Sequence, residues 1–121
     1  MDNSSAAGKT FISPGVLITV ARLAALGVPG VARMSPVPGG VNQLFRRGTA
    51  DGVRLETNDE TVSADLYLVV EQDYNVREVA RQVQHEVARA IRDLIGLEVG
   101  RLDIHLEDID LAPAGLPAAE G

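Results

Sequence analysis

Residues 75–95 read NVREVARQVQHEVARAIRDLI, and the period of that stretch decides the fold. Val76, Val79, Ala80, Val83, Val87, Ala90, Ile91 and Leu94 fall within roughly 120° of arc at the helical period, which predicts an amphipathic helix with one face in a core. Asn75 is placed to cap the first-turn amides, Glu78 follows three residues later as in a capping box, and Gly96 supplies the stop. The run before it, Thr61 to Glu71, alternates: Val62, Ala64, Leu66, Leu68 and Val70 on one side, Thr61, Ser63, Asp65, Tyr67 and Glu71 on the other. The run after it sets Leu102, Ile104 and Leu106 against Arg101, Asp103, His105 and Glu107. Two such strands joined through a helix form a right-handed crossover and lie parallel.

Working outward, Ser13-Pro14 opens a first helix with Ser as N-cap and Pro at the first helical position, and Gly27 stops it. Between Val16 and Leu26 only Thr19 and Arg22 are polar, so this helix is apolar nearly all round. On a helical wheel Leu17, Val20, Ala21 and Ala24 are the expected core contacts. Ile18 and Leu26 flank Arg22 on the other side, and these three are the expected self-association surface. Val28-Pro29-Gly30 is a turn into a short strand, Val31 to Met34. Ser35 to Gly52 reads as a long Gly- and Pro-rich loop in which Leu44, Phe45, Arg46 and Arg47 form a candidate partner-binding segment. Val53 to Thr57 alternates weakly, and Asn58-Asp59-Glu60 is a hairpin loop into the central strand. Residues 1–10 and 111–121 read as disordered tails around a domain spanning 11–110. The expected fold class is α+β, with a mixed three- to four-stranded sheet and two helices packed on one face.

Composition narrows the chemistry. With 121 residues and no Cys, the chain is one domain without disulfides or thiolate sites. No segment has the length and apolarity of a membrane span and no secretion signal opens the chain, so a cytoplasmic location is expected. The net charge of −6, with no Trp and only two Tyr and two Phe, argues against nucleic-acid binding by the whole molecule. Asp65, Asp103, His105 and Glu107 belong to a metal-ligand vocabulary, but alternation lines up polar residues on any half-solvated sheet, so a solvated face is expected, on which His105→Ala changes stability by no more than about 0.5 kcal/mol. Arg81, His85, Arg89 and Arg92 cluster on the helix's outer face among Glu78 and Asp93, as on a salt-bridged solvent face. Gly27-Val28-Pro29-Gly30 has the spacing of a backbone-clamping GxxG loop but no basic residue, and reads as a turn. Nothing specifies a catalytic residue, a cofactor or a metal.

The order of short motifs is distinctive. Ile12-Ser13-Pro14, Leu23-Ala24-Ala25-Leu26 running into Val28-Pro29-Gly30-Val31-Ala32, and Gly39-Gly40 come first. Gly52-Val53, Asp65-Leu66-Tyr67-Leu68-Val69-Val70-Glu71, Val79-Ala80 with Val83-Gln84, and Gly96-Leu97-Glu98-Val99 follow. Over residues 11–110 the chain resembles the alkaline shock protein, or envelope stress response, family of Gram-positive and related bacteria. The resemblance implies a small cytoplasmic protein without known catalysis, self-associating as a homo-oligomer and held at the inner face of the membrane by a separate membrane-anchored partner. The first helix departs from the pattern, reading Gly15-Val16-Leu17-Ile18-Thr19-Val20 where similar proteins carry more charge. The expected function is thus a non-enzymatic scaffold of the envelope stress response. A nucleic-acid-binding module and a small-ligand or metal-binding domain are the alternatives.

Overall fold

The protein's computed structural model describes residues 8–38, 47–58 and 60–111, with residues 47–50 as backbone. In chain order the elements are α1 (Pro14–Leu26), β1 (Val31–Met34), β2 (Arg47–Ala50), β3 (Val53–Thr57), β4 (Thr61–Glu71), α2 (Val76–Ala90) with a π turn (Ile91–Ile95), and β5 (Glu98–Asp110). The architecture is the α+β one expected. The mixed sheet has five strands, because β2 forms inside the stretch read as a loop.

β4 is the axis of the sheet. Its alternation puts Val62, Ala64, Leu66, Leu68 and Val70 into the core, and each is at most 1% exposed. Along one edge, β3 pairs antiparallel with the first half of β4 (Val53↔Leu66 to Thr57↔Val62) and β1 pairs antiparallel with the second half (Met34↔Leu68 to Val31↔Val70). Those two strands therefore lie end to end. The other edge pairs with β5, parallel, from Thr61↔Glu98 to Glu71↔Asp110, as the crossover through α2 requires. β2 pairs antiparallel with β3 through Asp51-Gly52, whose φ values of 52° and 79° are both positive, as in the tight turn that matches strand twist. A Cβ on Gly52 would also lie 2.7 Å from the Ser35 carbonyl oxygen, so this position needs glycine twice over.

α2 begins as its sequence dictates, with Asn75 Oδ1 accepting from the Glu78 amide at 3.0 Å. Val79, Val83, Val87 and Ile91 form its buried ridge. Leu94, expected on that face, is instead 73% exposed. The cause is the π turn: Gly96 N–H bonds to the Ile91 carbonyl, five residues back, and the widened turn rotates Leu94 into solvent while Ile95 packs against the core. Gly96 then closes the helix at φ 85°.

α1 packs against α2, β1 and the β2–β3 hairpin, with Leu17, Ile18, Ala21 and Ala25 buried and Val20 and Ala24 half-buried against the same core. Ile18 is 6% exposed, so its place in the expected self-association surface is corrected. β2 and β3 give α1 a second surface to cover, and the helix rolls Ile18 inward. Arg22 likewise turns to the hairpin, with Nε 3.7 Å from the Asp51 carboxylate. Of the expected trio, Leu26 is exposed and Arg22 partly so. Leu44, Phe45 and Arg46 lie outside the described residues, and Arg47 opens β2 rather than sitting in a loop.

Candidate interaction surface

The sheet's open face gathers the polar residues that alternation placed there. Asp65, on β4, is the hub. His105 Nε2 lies 2.9 Å from Asp65 Oδ1, and because a carboxylate only accepts, the imidazole N–H donates. Arg101 Nη1 is 3.4 Å from the same oxygen and 2.6 Å from Asp103, while Arg54 Nε lies 3.8 Å from Asp65 Oδ2. Burial opposes the charge on Asp65, but the hydrogen bond from His105 and the charges of Arg101, His105 and Arg54 outweigh it and hold the carboxyl below its ordinary pKa. Arg54 also donates to the Tyr67 hydroxyl at 2.7 Å. Burial pushes that phenol's pKa up, and the nearby carboxylates Asp65 and Glu107 add to the rise.

This face is less solvated than alternation predicts. The His105 ring stacks on Tyr67 with centroids 4.4 Å apart and planes 12° off parallel, leaving Tyr67 4% exposed. Val69 is equally covered, and the Arg33–Asp110 ion pair at 3.5 Å reaches from β1 to β5 across β4 beside it. A signal for this was present, since Leu66 to Val70 is a continuous apolar run, the pattern of a strand covered on both faces. Arg54 was missed, and Arg101, placed on this face, was not read as the residue that holds the network together with it. Their phase with Asp65 and Asp103 on alternating strands was the available signal.

The network is a set of matched charges. Among the described residues no three His, Asp or Glu side chains come close enough to hold a metal ion. A small cavity on this face, about 40 Å³, is bordered by Arg54, Ser63, Asp65 and Arg101, whose charged groups already face one another. On α2, Arg81 pairs with Glu78 at 3.4 Å, Arg89 with Glu86 at 3.2 Å and Arg92 with Asp93 at 3.9 Å, so three members of the Arg cluster are engaged with carboxylates of their own helix.

The helix layer differs in kind. Val16, Thr19, Leu23 and Leu26 recur at helical spacing on the outer side of α1, and Val16 and Leu23 are 47% and 57% exposed. Phe11 and Ile12, just before the helix, extend the apolar surface. Beside it Leu23, Ala24, Gly27, Val28 and Pro29 line a shallow groove of about 350 Å³ whose far wall is Gln82 and Glu86 of α2. α1 carries one charged residue, and that residue is turned to Asp51. No helix among the described residues is long and apolar enough to cross a membrane.

Comparison with known proteins agrees with this architecture. The uncharacterized Bacillus subtilis proteins YqhY and YloU are similar: YqhY is 29% identical over 104 residues (84% of this chain, 77% of that protein) and YloU 28% over 106 residues (84% and 88%). Among solved structures, the MamM CTD spanning 215–293 superposes with a TM-score of 0.54 at 21% identity, covering 79% of this chain and 99% of that one. A zinc form of a MamM CTD variant gives 0.57 at 17% identity (84% and 91%), and these likenesses establish the shared fold. A family model described by a cell envelope-related function matches residues 2–111, and by that match the chain belongs to the alkaline shock protein 23 family.

Proposed function

We propose that the domain is a non-catalytic scaffold of envelope homeostasis that self-associates through the outer face of α1, with a membrane-anchored partner holding the assembly at the inner face of the membrane. The observation that carries this reading is the uncharged apolar stripe of Val16, Leu23 and Leu26 beside a groove, on a chain whose net charge is −6. A molecule so acidic repels its copies everywhere except where charge is missing, and α1's outer face is such a place. Fully burying an aliphatic side chain is worth roughly 1.5–3 kcal/mol, so two leucines repeated across a two-fold axis can support a dimer. Membership of an envelope-related family supports the setting, and the neutralised Arg cluster on α2 weighs against nucleic acid.

Light scattering at matched concentration, on the wild type and on Leu23→Glu, tests the reading. Leu23 is exposed, so the substitution leaves folding intact, and a larger wild-type mass that falls to the monomer in the variant is expected. A wild type that stays monomeric at high concentration refutes self-association by this chain.

A further inference from the structure

β5 is the longest strand of the described sheet, and among the described residues only β4 pairs with it, so its outer side is a free edge. The direction of its backbone groups can be followed residue by residue. The Arg101 N–H points toward β4, where it bonds Ser63 Oγ at 3.1 Å, and the next carbonyl, Leu102 O, points outward and accepts from Gln84 Nε2 of α2 at 3.1 Å. Alternation then turns the N–H and C=O of Ile104 and Leu106 outward as well. Past the register shift at Leu68/Val69, the Ile109 N–H is capped by the Asp108 carboxylate at 2.8 Å. The edge is thus covered at Leu102 and at Ile109, and open between them.

That open window has a two-sided character. On the helix side, Leu106 and Ile109 are 37% and 45% exposed. On the open-face side stand Asp103, already paired with Arg101, and Glu107, which has no ion-pair partner among the described residues. We propose that this window receives an extended segment of a partner protein as an added strand, with aliphatic residues alternating with lysine or arginine. Its backbone would pair with Ile104 and Leu106, its aliphatic side chains would extend the apolar face beside Leu106 and Ile109, and its cations would lie opposite Asp103 and Glu107. A second copy of β5 is the wrong occupant, because it would set acidic residues against acidic residues. This docking mode is independent of self-association through α1.

The test is fluorescence anisotropy of a labelled synthetic peptide alternating valine and lysine, titrated with the full chain. Two control peptides are used: the same composition with valines and lysines in separate blocks, and the alternating peptide N-methylated at the residues that would face β5. The alternating peptide is expected to bind, with a roughly tenfold loss on N-methylation as two backbone hydrogen bonds are removed. Glu107→Lys, an exposed change, should weaken it and favour a peptide alternating valine and glutamate. Leu23→Glu should leave binding unchanged, which separates this site from the α1 surface. Equal binding by the blocked or N-methylated peptide, or no binding by the alternating one, overturns the proposal. So does a wild-type mass in light scattering that falls as the alternating peptide is added, since that assigns the edge to a second copy.

Discussion

Leu68→Ala and Ile104→Ala remove the same number of carbons from adjacent strands of one core, yet they should differ in cost. Leu68 is fully buried on β4, with Met34 of β1 and Leu106 of β5 as its cross-strand partners. Losing three carbons at about 0.8 kcal/mol each gives ~2.4 kcal/mol. A central strand cannot collapse to fill the space, so the residual cavity should bring the loss to about 3–4 kcal/mol. Ile104 is half-buried near the free edge, so a smaller transfer term and a cavity open to water limit its loss to about 1–1.5 kcal/mol. Urea denaturation followed by circular dichroism measures both, with the slope checked for constancy so that midpoints convert to free energies. A domain of this kind has about 5–15 kcal/mol in total, so Leu68→Ala should shift the midpoint well outside error. Equal losses would refute the reasoning, because they would mean that Ile104 is as enclosed in solution as Leu68 and that β5's outer side is covered.

Other substitutions address the remaining claims. His105→Ala should cost about 1–2 kcal/mol in the same assay, since it uncovers the Tyr67 ring and removes a donor to Asp65; a change within about 0.5 kcal/mol would return the position to a solvated one. Asp65→Asn should lose about 1–3 kcal/mol at pH 7. Because the folded state depresses the Asp65 pKa, the wild type holds this stability above the unfolded carboxylate value and loses it as pH falls through the folded one. The gap between the two proteins should therefore close in acid, and a gap that widens there would contradict the network. Leu94→Lys should be neutral within about 0.5 kcal/mol while Ile95→Lys destabilises by more than that, a contrast that thermal melts would check and that an uninterrupted α-helix would not produce.

Much of the fold was legible because α2, β4 and β5 each carry one clean period and water enforces it. The missed strand, β2, had a signal of its own in Asp51-Gly52, the dipeptide of a two-residue hairpin turn. The surrounding glycines and prolines made the whole stretch read as loop. That omission spread to α1: a helix apolar all round has no wheel-determined orientation, and without the β2–β3 hairpin Ile18 had nothing visible to pack on. Leu94 failed for a local reason, since the π turn leaves no mark in the apolar spacing before it. On the open face, alternation named Asp65, Asp103 and His105 as neighbours. It could not say that Arg54 and Arg101 would bind them, because cross-strand register depends on where β3 and β5 align with β4.

The end-to-end placement of β1 and β3 along one edge of β4 has a consequence for how the molecule opens. The amides of β4 alternate, one facing β5 and the next facing β3 or β1, so no single neighbour's departure frees them all. β1 and β3 do not pair with each other, but α1 packs on both, so the loss of α1 loosens that whole side of β4. Amide hydrogen exchange should then sort the β4 amides into two alternating sets, one released with β5 and the other with β1, β3 and α1.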